Sequence, residues 1–316
     1  MTSPEGPALW PIAERAPGRI DVAGLGEVSL DEVGVLMPGS EFGDKRGLSA
    51  LVRRPGGTIA SAILGCQRLG LVTALVAAVG ADAEGEAALA PLAAAGVDLT
   101  RIEYRRSGQT RRAFIAVDPT AGTREVYSYR SHRLNLDLAG LDRRPFQEAR
   151  AVLLDASDPG ASEWAAVAAA REGLPVILDA DRPFADCERL LSRVSFPIVG
   201  EALAQHLGGG QTRAGLETLR DLGAHFAVAT CGARGSLALG PDGFLEAPAF
   251  AVPVVDSTGA GDAFRAGFVT ALLGGAGPAT LLQRANACGA LNCRKAGAQE
   301  ALPTADELER FLADVG

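Results

Sequence analysis

Short apolar segments alternate with longer alanine-rich segments over most of this 316-residue chain, and this alternation is the feature that most limits its possible folds. The apolar segments have the length and content of buried strands, and they are residues 20–25, 71–79, 151–154, 176–178, 198–199 and 226–229. The segments between them have helical patterns, and they are residues 58–69, 84–95, 161–172, 201–206 and 212–222. Apolar strands that alternate with helices indicate a mostly parallel sheet covered by helices on both faces. The chain is therefore predicted to adopt an α/β fold.

One region departs from the alternation. Residues 112–117 and 124–129 are amphipathic and flank the turn-rich segment 118–123, which is typical of an antiparallel hairpin. Residues 48–53 are a candidate partner strand for this hairpin. We predict that these strands, within residues 46–54 and 110–131, form a small lid outside the main sheet.

The two ends of the chain have different patterns. Residues 1–18 are proline-rich and aperiodic, so we predict a loose leader that precedes one domain over residues 19–316. The last part of the chain is predicted to be helical at residues 260–273, 279–295 and 304–315. The third of these segments begins with Thr304 and Glu307 in the spacing of a capping box.

Charge and cysteine content limit the possible partners and the compartment. The net charge is −8 and there is no basic run, which argues against a nucleic-acid or anionic-membrane surface. The longest apolar stretch, residues 71–81, is about half as long as a membrane-spanning helix. The five cysteines are odd in number and scattered, so reduced thiols are expected rather than disulfides or a zinc site. We expect a cytoplasmic protein.

The segment VVDSTGAGDAFRAGF, residues 254–268, carries the strongest chemical signal. Gly259, Ala260 and Gly261 precede a predicted helix, where small residues expose consecutive backbone amides at the positive end of the helix dipole. Such an arrangement suits a phosphate. A carboxylate there would repel a phosphate but could take a proton from a hydroxyl that attacks it, so Asp262 is a candidate general base. The alternative is that Asp262 is an ordinary helix N-cap.

The nine residues DSTGAGDAF, residues 256–264, resemble the C-terminal signature of the ribokinase (PfkB) family of carbohydrate kinases, and the likeness covers almost the whole chain from Ile20. The resemblance implies a three-layer α/β sandwich with a β-strand lid, and ATP-dependent, Mg²⁺-assisted phosphorylation of a hydroxyl. It also implies that Asp262 is the catalytic base and that the amides from Gly259 to Asp262 hold the transferred phosphoryl group. Asp256 corresponds to an acid near a monovalent-cation (K⁺) site in some members.

Two further segments resemble the nucleotide side of that family. Residues 228–235, VATCGARG, resemble its T-x-G-x-x-G segment, which makes Thr230, Gly232 and Gly235 candidate ATP contacts. Asn286 matches a position that lines the adenine pocket, and Gly289 follows one turn later; the alternative for Asn286 is a polar residue on a helix surface. The turn RKAGAQ, residues 294–299, resembles the one that closes the nucleotide site.

A further segment, PGGTIASAILGCQRLG, residues 55–70, resembles the family's N-terminal signature G-G-x-x-x-N, on the sugar side of the site. Gly56 and Gly57 match it, but Ser61 stands in place of the asparagine. Asp31, placed at the end of the first strand, falls where the family binds sugar hydroxyls, and Asp155 is a further candidate. No G-K-[ST] sequence is present, which excludes a Walker-type ATP site.

Other positions depart from the family pattern. Many members have N-x-x-E, which positions Mg²⁺, where this chain has Gly200 and Leu203, with Glu201 nearby. The segments ILDADRP and YSYRSHRLNLD look most like the ketohexokinase-like branch, which also lacks the full motif. Arg111 and Arg112 begin a lid strand, and we favour solvated edge charges there over contacts to an anionic substrate.

We therefore expect an ATP-dependent kinase of a small sugar. A nucleoside kinase of the same fold is an alternative, which the 5% content of aromatic residues disfavours because a nucleobase needs an apolar or aromatic slot. A second alternative is a non-catalytic relative that binds sugar or nucleotide. The resemblance also suggests a homodimer formed through the lid strands.

Overall fold

The computed structural model describes residues 8–14, 19–37, 45–118, 120 and 123–315. Its strands, in chain order, are β1 (Val22–Leu25), β2 (Ser29–Leu36), β3 (Leu48–Gly56), β4 (Thr73–Gly80), β5 (Asp98–Arg105), β6 (Arg111–Asp118), β7 (Thr123–Tyr129), β8 (Ala151–Asp155), β9 (Val176–Ala180), β10 (Phe196–Gly200), β11 (Ala227–Thr230), β12 (Ser236–Gly240) and β13 (Gly243–Ala247). Its helices are α1 (Thr58–Arg68), α2 (Ala83–Ala95), α3 (Pro145–Glu148), α4 (Pro159–Arg171), α5 (Cys187–Leu191), α6 (Glu201–Leu207), α7 (Thr212–Asp221), α8 (Ala260–Leu273), α9 (Pro278–Asn292) and α10 (Ala305–Val315).

The main sheet has nine strands in the order β13-β12-β11-β10-β9-β8-β1-β4-β5. All neighbours from β11 to β5 pair in parallel, while β12 and β13 add an antiparallel edge. The predicted mostly parallel sheet is confirmed. The sequence did not predict β5, β12 or β13, because these strands near the sheet edges are short or half-exposed and lack a continuous apolar run.

Helices cover both faces of the main sheet, as predicted. Neighbouring residues of β1 point to opposite faces, so Val22 packs in one core with Ile59 and Phe268, while Ala23 packs in another with Ala165. The first core is covered by α1, α2, α8, α9 and α10, and the second by α3 to α7. Because the carboxyl ends of parallel strands meet at one edge of a sheet, side chains from β1, β8, β9 and β10 converge there.

The predicted lid is a second, four-stranded sheet in the order β3-β2-β6-β7, which we call the lid sheet. The predicted hairpin is confirmed, since β6 and β7 pair from Arg112 with Tyr129 to Asp118 with Thr123. Two details differ from the prediction. Residues 48–53 pair with β2 and not with the hairpin, and Asp31 lies within β2 rather than at the end of the first strand. The chain leaves the main sheet after Leu25, passes through Gly26 and Glu27, and enters the lid sheet at Ser29.

The chain ends follow the predictions in part. Thr304 and Glu307 form the predicted capping box, with the Glu307 amide donating to Thr304 Oγ1 at 3.3 Å and the Thr304 amide donating to Glu307 at 2.8 Å. Within the predicted loose leader, Leu9 is buried and the Trp10 ring makes edge contacts with Phe196, so residues 8–14 pack on the domain. Residues 1–7 and 15–18 lie outside the described residues. Among the helices described, none has the length and apolar content needed to cross a membrane.

Candidate active site

The start of α8 has the backbone geometry that the glycine-rich segment predicts. Gly259 is the N-cap residue, with a left-handed φ of 78°, and a Cβ atom there would lie 2.6 Å from the Cα of Ala298. Both the conformation and the close approach require glycine. The loop before α8 is therefore held against the turn at residues 294–299.

Asp262 is the third residue of α8 and does not cap it. The N-cap is Gly259, and no side chain caps this helix, so the N-cap alternative for Asp262 is wrong. The first amides of a helix have no partner within the helix. The amide of Ala260 donates to the carbonyl of Ser257 at 3.3 Å, so within the described part of the chain the amides of Gly261 and Asp262 are the free donors of this turn.

Acidic neighbours and desolvation control the charge of Asp262. Desolvation in its recessed position raises the pKa of Asp262 to about 8. The positive charge of Arg265 opposes this rise, whereas the carboxylates of Asp181, Asp155 and Glu27 add to it. A carboxyl group with such a pKa is suited to proton transfer near neutral pH. The same interactions show that acids from three other parts of the chain lie near Asp262.

Arg265, one turn after Asp262, is buried and ion-paired. Its guanidinium contacts the carboxylate of Asp179, and Nη2 lies 2.9 Å from Asp181 Oδ1 and 3.5 Å from the carbonyl of Ile198. A Cβ atom at Gly261 would overlap Nη1 of Arg265. The guanidinium therefore fills the space between the carboxyl ends of β9 and β10 and the first turn of α8.

The predicted nucleotide residues lie beside this site on the next strands. Thr230 ends β11, and its hydroxyl donates to the carbonyl of Val199 at 3.4 Å. Gly232 and Gly235 both have left-handed φ angles, of 58° and 92°. A Cβ atom at Gly235 would overlap the carbonyl of Ala247, so the chain at Gly235 lies directly against the end of β13. A groove of about 500 Å³ runs beside this segment and is lined in part by Cys231, Arg234, Ser236 and Ala247.

Asn286 and Gly289 connect α9 to its neighbours. Asn286 is buried, and its Nδ2 donates to Ser236 Oγ and to the Ala247 carbonyl, each at 3.1 Å. The alternative of a surface polar residue is therefore wrong. Gly289 allows α9 to approach α8, because a Cβ atom there would lie 3.2 Å from the carbonyl of Ala260.

Asp256 fixes the loop before α8. Its carboxylate accepts hydrogen bonds from the amides of Thr258 and Gly297, each at 2.9 Å. The loop and the turn at residues 294–299 are thus joined by a side chain as well as by the contact at Gly259.

The predicted sugar residues lie where the lid sheet meets α1. Arg111 Nη1 lies 3.3 Å from Asp31 Oδ1. A Cβ atom at Gly56 would overlap the carboxylate of Asp31, and Gly57 has a left-handed φ of 95° close to the carbonyl of Glu27. The glycine pair therefore lets the backbone approach two acids. Burial raises the pKa of Asp31, and Arg111 opposes this rise.

A recess under the lid sheet contains charged residues that the sequence did not assign to the site. We call it the lid recess, and its lining includes Glu27, Arg111, Arg130 and Leu134. Arg111 Nε lies 2.8 Å from Glu27 Oε2, so the predicted solvated edge charge is wrong for Arg111. Burial raises the pKa of Glu27 to about 7. The carboxylate of Asp155, the further sugar-site candidate, accepts a hydrogen bond from the Glu27 amide at 2.8 Å and therefore lies next to the recess.

Ser61 is fully buried in α1, and its hydroxyl lies 3.3 Å from Nε2 of Gln299. It therefore joins α1 to the turn at residues 294–299. Arg112, unlike Arg111, is partly exposed at 42% and pairs with Glu84.

The sequence did not identify Glu27, Arg111, Asp179 or Arg265 as site residues. Glu27, Asp179 and Arg265 stand inside segments that were singled out for other reasons, namely GLGEVSLD, ILDADRP and VVDSTGAGDAFRAGF. Their roles depend on which way the side chains point and on partners far away in the chain. The presence of a charged residue in an otherwise apolar segment was the available signal.

Comparison with known proteins gives consistent results. Residues 32–305 match the pfkB family carbohydrate kinases. The chain is 31% identical to an ATP-dependent ribose-1-phosphate kinase of Halopiger xanaduensis over 82% of this chain and 86% of that protein. It is 27% identical to a nucleoside kinase of Methanothermobacter thermautotrophicus over 94% of this chain and 97% of that protein.

A solved ribokinase structure from Thermotoga maritima has the same fold, with a TM-score of 0.80 and 24% identity over 93% of this chain and 99% of that one. The expected three-layer fold is confirmed. These similar proteins are ribokinase, ribose-1-phosphate kinase and nucleoside kinase, so the expected ketohexokinase-like branch is not supported.

Proposed function

The chain belongs to the pfkB family of carbohydrate kinases, and we propose that it transfers the γ-phosphoryl group of ATP to a hydroxyl of a small sugar. The observation that carries this proposal is the first turn of α8, where a carboxylate with a raised pKa stands beside two free amides. Asp262 takes the proton of the attacking hydroxyl. The free amides of Gly261 and Asp262, in the Gly259–Ala260–Gly261–Asp262 turn, bind the oxygens of the transferred phosphoryl group.

The two substrates approach Asp262 from opposite sides. ATP lies along Thr230, Gly232 and Gly235, with Asn286 and Gly289 shaping the α9 side of its site. The tight glycine turns on this side support the assignment, because they let a bulky nucleotide approach the backbone. The sugar lies between the lid sheet and α1, beside Asp31, Gly56 and Gly57 and at the edge of the lid recess, with Ser61 supporting α1 behind them.

The Mg²⁺ that this chemistry implies fits as an ion that enters with ATP. Within the described residues, no group of three His, Cys, Asp or Glu side chains is placed to hold a metal. The asparagine and glutamate of the family's N-x-x-E motif are absent, Leu203 is buried, and Glu201 pairs with Arg234. Mg²⁺ commonly keeps several waters and binds chiefly through substrate phosphates. When bound, it supplies positive charge between the phosphates.

The charges of the lid recess favour an uncharged sugar over a sugar phosphate. Arg111 is shared by Glu27 and Asp31, and Arg130 donates to Asn135 at 2.6 Å. The charge of Arg111 is therefore already matched by two carboxylates. Carboxylates accept hydrogen bonds from hydroxyls, which suits a polyol.

A nucleoside substrate is the second candidate, and the similarity to a nucleoside kinase over 94% of this chain favours it. The apolar lining of the lid recess is aliphatic, including Leu25, Val28, Leu134 and Leu136, and offers no aromatic ring for stacking in the described residues. This lining supports the sugar over the nucleoside.

We also propose a homodimer through the lid sheet and a monovalent-cation (K⁺) effect at Asp256. Leu51, Tyr127 and Tyr129 of the lid sheet are each more than half exposed, which supports an apolar contact surface. Sedimentation of the wild type against a Leu51→Asp variant tests the dimer. Activity in K⁺ compared with a tetramethylammonium salt tests the cation effect.

The proposed function is tested by measuring ADP formation from ATP and Mg²⁺ with a panel of neutral sugars, ribose 1-phosphate and nucleosides. We expect turnover of about 1–100 s⁻¹ with one neutral sugar and none in excess chelator. A preference for a nucleoside would establish the second candidate. Sugar and ATP binding without ADP formation would contradict the proposed transfer and indicate a non-catalytic relative.

A further inference from the structure

Arg265 has a position that the proposed reaction does not yet use. Its side chain is 1% exposed, and it is held by Asp179, which is 2% exposed, and by Asp181. Asp179 is the penultimate residue of β9, next to β10, so the ion pair anchors the first turns of α8 to the sheet edge. A buried arginine with two acidic partners has one orientation available, because leaving either charge unpaired inside the protein is costly.

The same guanidinium lies directly behind the phosphate-binding turn. Nη1 occupies the space that a side chain at Gly261 would need, and Arg265 is one helical turn after that residue. Arg265 is also three residues after Asp262, a spacing that places two side chains on neighbouring parts of a helix surface. Its position is therefore fixed with respect to both the free amides and the proposed base.

Acids and a cation act on the charge of Asp262. Asp181, Asp155 and Glu27, at or just after the carboxyl ends of β9, β8 and β1, each disfavour its charged form. Asp179 interacts with it as well. Among the groups that act most on Asp262, Arg265 favours the carboxylate.

The backbone at Gly200 lies close to Asp181, one of the two acidic partners of Arg265. A Cβ atom there would lie 2.9 Å from the carbonyl oxygen of Asp181, so a side chain at this position requires the backbone of Asp181 to shift.

We propose that Arg265 is a positioning residue: its ion pairs with Asp179 and Asp181 hold the guanidinium behind the first turn of α8, where its positive charge favours the ionised form of Asp262. This inference rests on the proposed function, in which Asp262 is the base. It predicts that the two ends of the ion pair act on the base in opposite directions. Removing the arginine should raise the pKa of Asp262, so that the carboxylate forms only at higher pH, and removing the exposed acid should lower that pKa.

The test is the pH profile of kcat/KM for the sugar in the full-length enzyme with ATP and Mg²⁺. In Arg265→Met, we expect the rising acidic limb to move to higher pH by about one unit or more. Arg265→Lys retains the charge and should move the limb less. Asp181→Asn, at a side chain that is 66% exposed, should move it to lower pH. Arg284→Met, which removes an arginine paired with Glu309 at the surface, is the control and should leave the limb in place.

Opposite shifts in Arg265→Met and Asp181→Asn would establish the inference. An unmoved limb in Asp181→Asn, or a loss in Arg265→Met that is equal at every pH, would overturn it and leave Arg265 a structural residue. If Arg265→Met does not fold, Asp181→Asn and Arg265→Lys decide the matter.

The variant Asp262→Asn distinguishes a failure of this inference from a failure of the proposed function. Wild-type turnover in that variant would show that Asp262 is not the base. Lost turnover in Asp262→Asn, together with unmoved limbs in the other variants, would reject only the role of Arg265. A readout independent of catalysis is the pH dependence of the free energy of unfolding, where Arg265→Met should change the slope more in the wild-type background than in Asp262→Asn, because in the latter only acids such as Asp179 still respond to the loss of Arg265.

Discussion

The side-chain amide of Gln299 lies 3.3 Å from the hydroxyl of Ser61, and this hydrogen bond joins the turn beside the nucleotide site to the helix that borders the lid recess. Both side chains are buried. The resemblance assigned position 61 to sugar binding, whereas the contact observed is internal. The two assignments lead to different results when Ser61 is changed.

Ser61→Ala should lower the free energy of unfolding by about 1–3 kcal/mol, because it leaves the buried Gln299 amide without its acceptor. Denaturant unfolding measures the loss. In a double-mutant cycle with Gln299→Leu, the two losses should be less than additive. A folded Ser61→Ala variant with unchanged stability and a raised KM for the sugar would instead support direct sugar binding.

Asp262→Asn should reduce kcat by about 10²–10⁴-fold, because the amide cannot accept the hydroxyl proton. ATP affinity should be retained or increased, since a negative charge near the phosphates is removed. The helix should be unaffected, because its N-cap is Gly259. Turnover assays, calorimetry with ATP and circular dichroism give the three readouts, and wild-type turnover would leave Asp262 without a catalytic role.

The stability of the wild type should fall as the pH rises from about 4 toward 8. Desolvation raises the pKa of Asp262 to about 8 in the folded protein, so over this range the folded state holds a proton that the unfolded state has released. Unfolding is therefore favoured as the pH rises. Asp262→Asn should show a shallower decline and be the more stable protein at pH 8. Glu27, whose pKa is raised to about 7, keeps some slope in the variant. Parallel curves for the two proteins would show that the pKa of Asp262 is not raised in the folded protein.

Asp31→Ala should weaken sugar binding by about 1.5–3 kcal/mol, because a charged hydrogen-bond acceptor is lost. ATP affinity should change little, since the nucleotide is assigned to the β11 and α9 side. Glu32→Ala is the matched control, because Glu32 is the next residue of β2 and pairs with Arg53 on the exposed side. Calorimetry with each ligand measures both affinities, and an equal loss for ATP would mean that the two sites are misassigned.

Gly259→Ala should destabilise the protein by more than Gly275→Ala and should also reduce kcat. The two glycines have similar φ angles, of 78° and 76°, so each substitution pays about 1–2 kcal/mol for a left-handed conformation. Only at Gly259 does a new Cβ atom meet the chain at Ala298, whereas nothing lies within 4 Å of it at Gly275. Equal losses of stability with unchanged turnover in both variants would show that the loop contact is unimportant.

The sequence determined the features that depend on local chemistry. Alternating apolar and helical segments determined the parallel sheet and its two helical layers, because each segment's pattern reflects its own burial. The glycine-rich start of α8 was readable for the same reason, since backbone conformation at Gly259 and the placement of Asp262 depend on a few neighbouring residues.

Only the tertiary structure decided which charges meet. Arg265 and Asp181 are 84 residues apart in the chain, and Arg111 and Asp31 are 80 residues apart, yet each pair lies in direct contact. Asp31 itself was placed on the wrong strand, because a short break at Gly26 sends the chain into a second sheet. Pairing of distant side chains depends on strand order and on the direction in which each side chain points, and neither is encoded in the spacing of a local motif. The charge state of the proposed base therefore follows from the fold, although its identity is readable from the sequence.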